Sequence, residues 1–420
     1  MKILFIQPSS IKSRKSNKRL IFKIHLHPSL TFEQLSGITP GKHEIDFIDE
    51  RYQKIYYEWK GDIVGISCMT AEALRAYKIA DRFRKKGLTV VLGGWHPSAL
   101  PEEAKKHADS ILIGEAEIIW PELLKDFENG KLKPFYANKS PIDISNIPLA
   151  RRNIRKCVSF TAGVQASRGC TMGCEFCAIS NSRYGRVHRK RKIEKIIDEI
   201  DSIKQKYLFF FDPSLTINPS FAKELFRAMR GLNKKFKCFG NIDILGKDDE
   251  LLKLSAEAGC SVWFVGIESF SQKTLNTIGK SSQVKDYDKI IKKIHDYGIA
   301  VFSSMIFGFD TDTIDVFDKA VEKVYDLDID IAGFSILTPY PGTPLFNRLD
   351  KEKRIISYDW SKYDEDHVVF QPKNMTPEDL LFNTEQVRKQ VNSLSGISRR
   401  ILKSKNLKIQ KISPNSFLYI

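Results

Sequence analysis

The chain has 420 residues, 42% hydrophobic and 11% aromatic, which is enough for two or three domains with cores of their own and too apolar for a disordered chain. Its formal charge is +16, yet no apolar run approaches the roughly 18 to 20 residues a membrane-spanning helix requires, and the opening Met1 to Ile6 turns polar at Gln7. Seven cysteines without a secretory signal predict a reducing, cytoplasmic setting.

Along the first 130 residues, short apolar runs alternate with helical spacing. Lys2 to Ile6, Glu44 to Ile48, Asp62 to Ser67, Leu88 to Leu92 and Ser110 to Ile113 suit buried parallel strands. Between two of them, Ala73, Ala76, Ile79, Ala80 and Phe83 recur at helical spacing, which supplies the crossover a parallel pair needs. The pattern predicts a doubly wound, Rossmann-like α/β domain over 1–137, with any ligand at the carboxyl ends of the strands. The turns there are Ser67-Cys68-Met69-Thr70, Gly93-Gly94-Trp95-His96-Pro97 and Gly114-Glu115-Ala116-Glu117. A glycine pair lets a flat cofactor or a phosphate approach the backbone, though it also serves as a plain turn.

Residues 138–158, with Pro141 and Pro148, read as a linker. Strand and helix patterns then alternate again: apolar runs begin at Val164, Tyr207, Phe236, Val262, Ala300 and Ile331, with helical stretches between them. Six such repeats predict a partial (β/α)6 barrel of TIM-like type over 159–345, with its chemistry at the strand carboxyl ends. That rule gathers Cys170, Cys174, Cys177, Asp212, Asn241, Glu268, Ser303 and Ser304 on one rim. Residues 346–420 are more polar and read as a small, mostly helical capping extension. From Gln386 to Ile420 it carries eight Lys or Arg residues and no acid. This basic tail suits either a solvated face or peripheral contact with an anionic membrane surface; without an RNA-binding signature it argues against nucleic acid.

The densest chemistry is the run Cys170-Thr171-Met172-Gly173-Cys174-Glu175-Phe176-Cys177, a C-x3-C-x2-C spacing. Three adjacent thiolates can hold three irons of a [4Fe-4S] cluster and leave the fourth open, whereas a closed structural zinc site needs four ligands. Cys68, Cys157, Cys238 and Cys260 are scattered singly and read as small buried hydrophobes.

With Ser167-Arg168-Gly169 before it, this loop resembles the signature of radical S-adenosylmethionine (SAM) enzymes. The upstream Gly93-Gly94-Trp95-His96-Pro97 and Ile113-Gly114-Glu115-Ala116-Glu117 resemble the cobalamin (B12)-binding-type domain that precedes the barrel in one subclass, so the similarity spans about residues 1 to 345. The resemblance implies that Cys170, Cys174 and Cys177 ligate the cluster. Its open iron would bind SAM, and reductive cleavage would give a 5′-deoxyadenosyl radical. It also implies roles for Phe176 beside adenine, Asp212 near SAM, Glu268 at the ribose hydroxyls, and Ser303, Ser304 and Gly308 along adenine. Ser67, Gly93, Gly94, Gly114 and Glu115 would face cobalamin, with His96 lining that pocket or facing solvent. Beside these stand plainer roles: Asp212 as a helix cap, Glu268 as an ion-pair partner, the serines as backbone partners. None of the eight histidines sits in a D-x-H-x-x-G loop, so cobalamin would bind without that ligand. The basic run Arg183 to Lys192 suits a phosphate-bearing substrate or a solvated helix start.

The function implied is methylation, or radical carbon-carbon bond formation, at an unactivated carbon of a lipid-like or other small molecule. An electron donor such as flavodoxin or ferredoxin would serve it; no substrate-activating catalytic residue is assigned. The alternatives are a tRNA-modifying enzyme such as a methylthiotransferase, which lacks its second cysteine set here, and a cobalamin- or cluster-binding sensor without turnover.

Overall fold

Central strands that are apolar on both faces are accommodated only by a sheet covered on both sides. The computed structural model describes residues 1–10, 30–154 and 159–403 and contains two such sheets. In the first, β1 (Lys2–Gln7), β2 (Glu44–Asp49), β3 (Ile63–Ser67), β4 (Thr89–Gly93), β5 (Ser110–Ile113) and β6 (Phe135–Ala137) run parallel in the order β2-β1-β3-β4-β5-β6. The short β6, which no apolar run announces, pairs with β5 at its edge. The helix Ala73–Arg84 buries the five residues expected from its spacing. Chain direction across the sheet reverses between β1 and β3, which opens a crevice at their carboxyl ends.

The second sheet comprises β7 (Thr161–Val164), β10 (Tyr207–Phe210), β11 (Lys235–Gly240), β12 (Cys260–Glu268), β13 (Ala300–Phe307) and β14 (Ile331–Ile336), all parallel, in the order β14-β13-β12-β11-β10-β7. A small antiparallel pair, β8 (Ser167–Arg168) with β9 (Arg189–Lys190), brackets the cysteine loop. The helices follow from their sequence: Pro219–Met229 starts with Pro at its first turn and Asn218 accepting from the Phe221 N–H.

Alternation along these strands divides the side chains into two sets. Phe210, Phe236, Cys238, Trp263, Val265 and Val301 are buried beneath the outer helices. On the opposite, inner face Phe209, Phe239, Phe264 and Phe302 form a chain of rings with centroids 5.4, 4.6 and 4.3 Å apart. Phe211 joins Phe209 at 4.6 Å. The barrel is open, so these rings line a lumen.

The C-terminal extension is a strap across both units. Trp360, Tyr363 and Val369 enter the core of the first, while Phe370, Leu380, Val387 and Val391 enter that of the second. Its helix Pro377–Val391 carries a capping box between Thr376 and Asp379. The tail is less of a free basic face than its composition suggests. Arg388 donates to the Phe334 carbonyl and pairs with Asp366, Arg399 lies 4.4 Å from the Tyr325 ring centroid, and Arg400 is buried. Lys405, Lys408 and Lys411, the side chain of Lys403, and Cys157 lie outside the described residues. Among the described residues no helix is long and apolar enough to cross a membrane.

Candidate functional site

A cavity of about 580 Å³ occupies the crevice at the carboxyl edge of the first sheet. Gln7, Ser67, Gly93, Gly94, Gly114 and Glu115 line it from the strand ends, and Gln165, Arg168 and Phe211 line it from the barrel side. Phe211 also packs on Phe209, so the cavity wall and the inner-face row of rings share a residue. Five of the residues expected at cobalamin, Ser67, Gly93, Gly94, Gly114 and Glu115, are on its wall.

His96 is not. Its side chain is fully buried on the far side of the Gly-Gly turn, with Nε2 3.2 Å from Glu103 and its ring edge-on to Trp360. Glu103 also accepts from Trp360 and Tyr77, so the histidine belongs to the docking site of the C-terminal strap. It neither lines the cavity nor faces solvent.

In the cysteine loop, Gly169 has φ 88°, and a Cβ there would stand 2.2 Å from the Val187 carbonyl oxygen. Only glycine lets the chain turn this tightly against the segment that leads into β9. The Cys170 N–H donates to the Gly185 carbonyl, and Asn181 Nδ2 donates to the carbonyls of Cys174 and Cys177 at 2.9 and 2.8 Å. All three thiols are partly exposed. Burial pushes the Cys170 and Cys174 thiols up and the nearby Lys280 ammonium pulls both down; Cys177 acts on both, and Cys170 also acts on Cys174. Three partly exposed thiols on one glycine-hinged loop are the donor set that a cluster with a free iron requires.

Asp212 does not reach toward this open side, nor does it cap a helix. It is fully buried and accepts from the backbone N–H groups of Ala166 and Ser167 and from Ser167 Oγ, fixing the segment that leads into the cysteines. Burial holds its carboxyl up at about 6 despite those bonds. Asn241 caps the short helix Ile242–Lys247. Glu268 sits after a register shift in β12 with φ 63° and pairs with Lys280 at 3.0 Å. Its carboxylate folds back over Gly266, where an added Cβ would meet Oε1 at 2.3 Å and displace the carboxylate. Glu268 is thus an ion-pair partner, and one close enough to act on the Cys174 thiol.

Ser303 and Ser304 are neighbours on β13 and point to opposite faces. Ser304 shares the inner face with Phe302, beside Gly266 and Gly333 in register. Ser303 is fully buried on the outer face, and its Oγ has no hydrogen-bond partner among the described residues. Gly308, with φ 107°, makes room for Leu380 and Phe370 of the strap and does not face the lumen. Phe176 packs edge-on against Phe309, 5.9 Å between centroids.

The structure adds residues that spacing did not single out. Arg168, two positions before the first cysteine, pairs with Glu117 at 2.5 Å and with Glu115 at 3.4 Å. Arg189 also pairs with Glu115. Arg191 is buried against Glu199, and Lys190 lies over the Phe221 ring. The basic run after the cysteine loop is thus largely engaged within the protein. Arg348 of the strap joins Glu175, inside the loop, to Asp310.

Comparison with known proteins matches the family model described as the radical SAM superfamily over residues 164–324 and the B12 binding domain over residues 42–124. The chain is 32% identical to bacteriochlorophyllide d C-12(1)-methyltransferase of Chlorobaculum tepidum, covering 85% of this chain and 81% of that one. It is 33% identical to the C-8(2)-methyltransferase of the same organism, covering 85% and 83%. Among solved structures, the radical SAM methyltransferase TsrM from Kitasatospora setae superposes with a TM-score of 0.69 at 17% identity, covering 84% of this chain and 76% of that one. The cobalamin-dependent SAM radical enzyme OxsB superposes with a TM-score of 0.70 at 16% identity, covering 98% and 70%. Signature loop, paired sheets and relatives matched over most of their length agree: the chain belongs to the cobalamin-class radical SAM enzymes.

Proposed function

We propose that this enzyme transfers a methyl group to an unactivated carbon of a large, mostly apolar polycyclic small molecule, of the tetrapyrrole type on which its bacteriochlorophyllide-methylating relatives are named to act. The observation that carries the reading is the position of Phe211, which lines the first-sheet cavity and packs its ring on Phe209 at the start of the phenylalanine row. Bound in these places, cluster and cobalamin would supply one-electron reduction of SAM and a transferable methyl group. The protein's own part is placement. Cys170, Cys174 and Cys177 hold the cluster, Asp212 and Asn181 fix their loop, and Lys280 moderates the thiol charge. Ser67, Gly93, Gly94 and Gly114 leave backbone open to a corrin face, while Phe209, Phe239, Phe264 and Phe302 exclude water from the reacting carbon. Phe176, Glu268 and Ser304 would border SAM.

The test is anaerobic turnover of the reconstituted enzyme with SAM, a reductant and bacteriochlorophyllide d. A product heavier by one CH2, formed with 5′-deoxyadenosine and S-adenosylhomocysteine, supports the reading. SAM cleavage with no methylated product from this substrate or from a hopanoid would count against it. A flavodoxin or ferredoxin serves as electron donor, which replacing the chemical reductant by either protein tests. Membrane contact through the tail is tested by vesicle binding of a chain ending at residue 403.

A further inference from the structure

The lumen contains one cation that its surroundings do not account for. Lys237 lies on β11 in register with Phe209 and two residues before Phe239, so it shares their inner face. Its ammonium stands 4.7 Å from the centroid of the Phe209 ring. Unlike Lys280, which has Glu268, or Lys223, which has Asp248 and Glu250, it meets no carboxylate among the described residues. Burial is the sole influence on its acidity and pulls it from 10.5 down to about 8. Ring contact compensates part of that cost, but the half-buried ammonium has no carboxylate counter-charge among the described residues.

We infer that Lys237 binds a carboxylate carried by the substrate, so that the molecule entering the lumen is an apolar ring system with one acidic arm. The inference rests on the methyltransferase reading above and narrows its substrate class. The phenylalanine chain Phe209, Phe211, Phe239, Phe264 and Phe302 provides a flat, adaptable wall for the ring body, and Lys237, beside Phe209 in that wall, fixes which way round the body lies. A single ammonium suits a monoanion; phosphate recognition would call for a guanidinium fork or several donors.

The probe pair is 1-pyrenebutyric acid and its methyl ester, which share a four-ring apolar body and differ in the carboxylate. Binding is followed by pyrene fluorescence on the anaerobically reconstituted holoenzyme at pH 7. The acid should bind at least tenfold more tightly than the ester. Lys237→Met should abolish that preference while leaving ester affinity within twofold, and Lys237→Arg should restore most of it. Iron content and the cobalamin spectrum of each variant report that the fold is kept. Equal affinity for acid and ester in the native protein, or a preference that survives Lys237→Met, overturns the inference. A native protein that cleaves SAM and keeps cobalamin yet shows no acid preference refutes this inference alone. One that prefers the acid through Lys237 but holds no cobalamin refutes the methyltransferase reading alone.

Discussion

The two ligand-facing regions are built on opposite plans. The carboxyl edge of the first sheet presents backbone: Gly93, Gly94 and Gly114 turn there with little side chain, and the charges beside them, Glu115 and Glu117, are held by Arg168 and Arg189. The inner face of the barrel presents side chains, a run of phenylalanines interrupted by Lys237 and opening onto Ser304, Gly266 and Gly333 near the cysteines. A backbone-lined edge suits a cofactor whose large face is the same for every substrate, whereas a lumen of side chains can be tuned to one substrate. Arg168 joins the two, since it touches the cavity, its acidic edge, and the segment entering the cluster loop.

Four perturbations sharpen that contrast, in falling order of effect. Cys174→Ala removes a ligand from the barrel side: iron content falls to background, and SAM cleavage drops at least a thousandfold, about 4 kcal/mol of barrier. Arg168→Met leaves Glu115 and Glu117 without their shared partner. Breaking such a largely buried pair should lower unfolding stability in urea by about 3 kcal/mol and release cobalamin on desalting. Third comes Glu72, on the cavity wall, whose carboxyl burial pushes up to about 7 against the pull of the Met69 N–H, Arg51 and Gln7. The folded protein holds this proton more tightly than the unfolded chain, so this group's stability contribution is present below pH 4.5 and is lost as pH rises through about 7. Glu72→Gln should raise stability at pH 8 by about 1–2 kcal/mol and leave it unchanged at pH 4, which melting curves at the two pH values measure. Smallest is the Ser303/Ser304 pair. Ser303→Ala, on the outer face, should stay within about 0.5 kcal/mol of the native protein and leave SAM affinity unchanged. Ser304→Val crowds the lumen and should weaken SAM binding severalfold, read by equilibrium dialysis.

Much of this was legible in the residues. The spacing of Cys170, Cys174 and Cys177 suggests a cluster loop, and the strands Lys2–Gln7 and Ile63–Ser67 are apolar along their buried centres because both their faces are covered. The turns after β3, β4 and β5 lie where a doubly wound sheet puts its ligand, so Ser67, Gly93, Gly94, Gly114 and Glu115 followed from topology. What failed was direction and partnership. Strand alternation separates Ser303 from Ser304, as the flanking Val301 and Met305 buried on one side and Phe302 on the other indicate. His96 went astray because its partners Glu103 and Trp360 are 7 and 264 residues away along the chain, and the second distance is set only when the strap docks. The pairings of Arg168 with Glu117 and of Arg348 with Glu175 likewise depend on how separate units meet, which no local pattern encodes.

The most direct test takes one anaerobic sample of the protein, loaded with iron, sulfide and hydroxocobalamin and then desalted. Its visible spectrum is recorded before SAM, reductant and bacteriochlorophyllide d are added. The account predicts cobalamin retained near one per chain, and 5′-deoxyadenosine and S-adenosylhomocysteine accumulating together with methylated product. A fully loaded cluster that retains no cobalamin, or that cleaves SAM without ever forming S-adenosylhomocysteine, would contradict it.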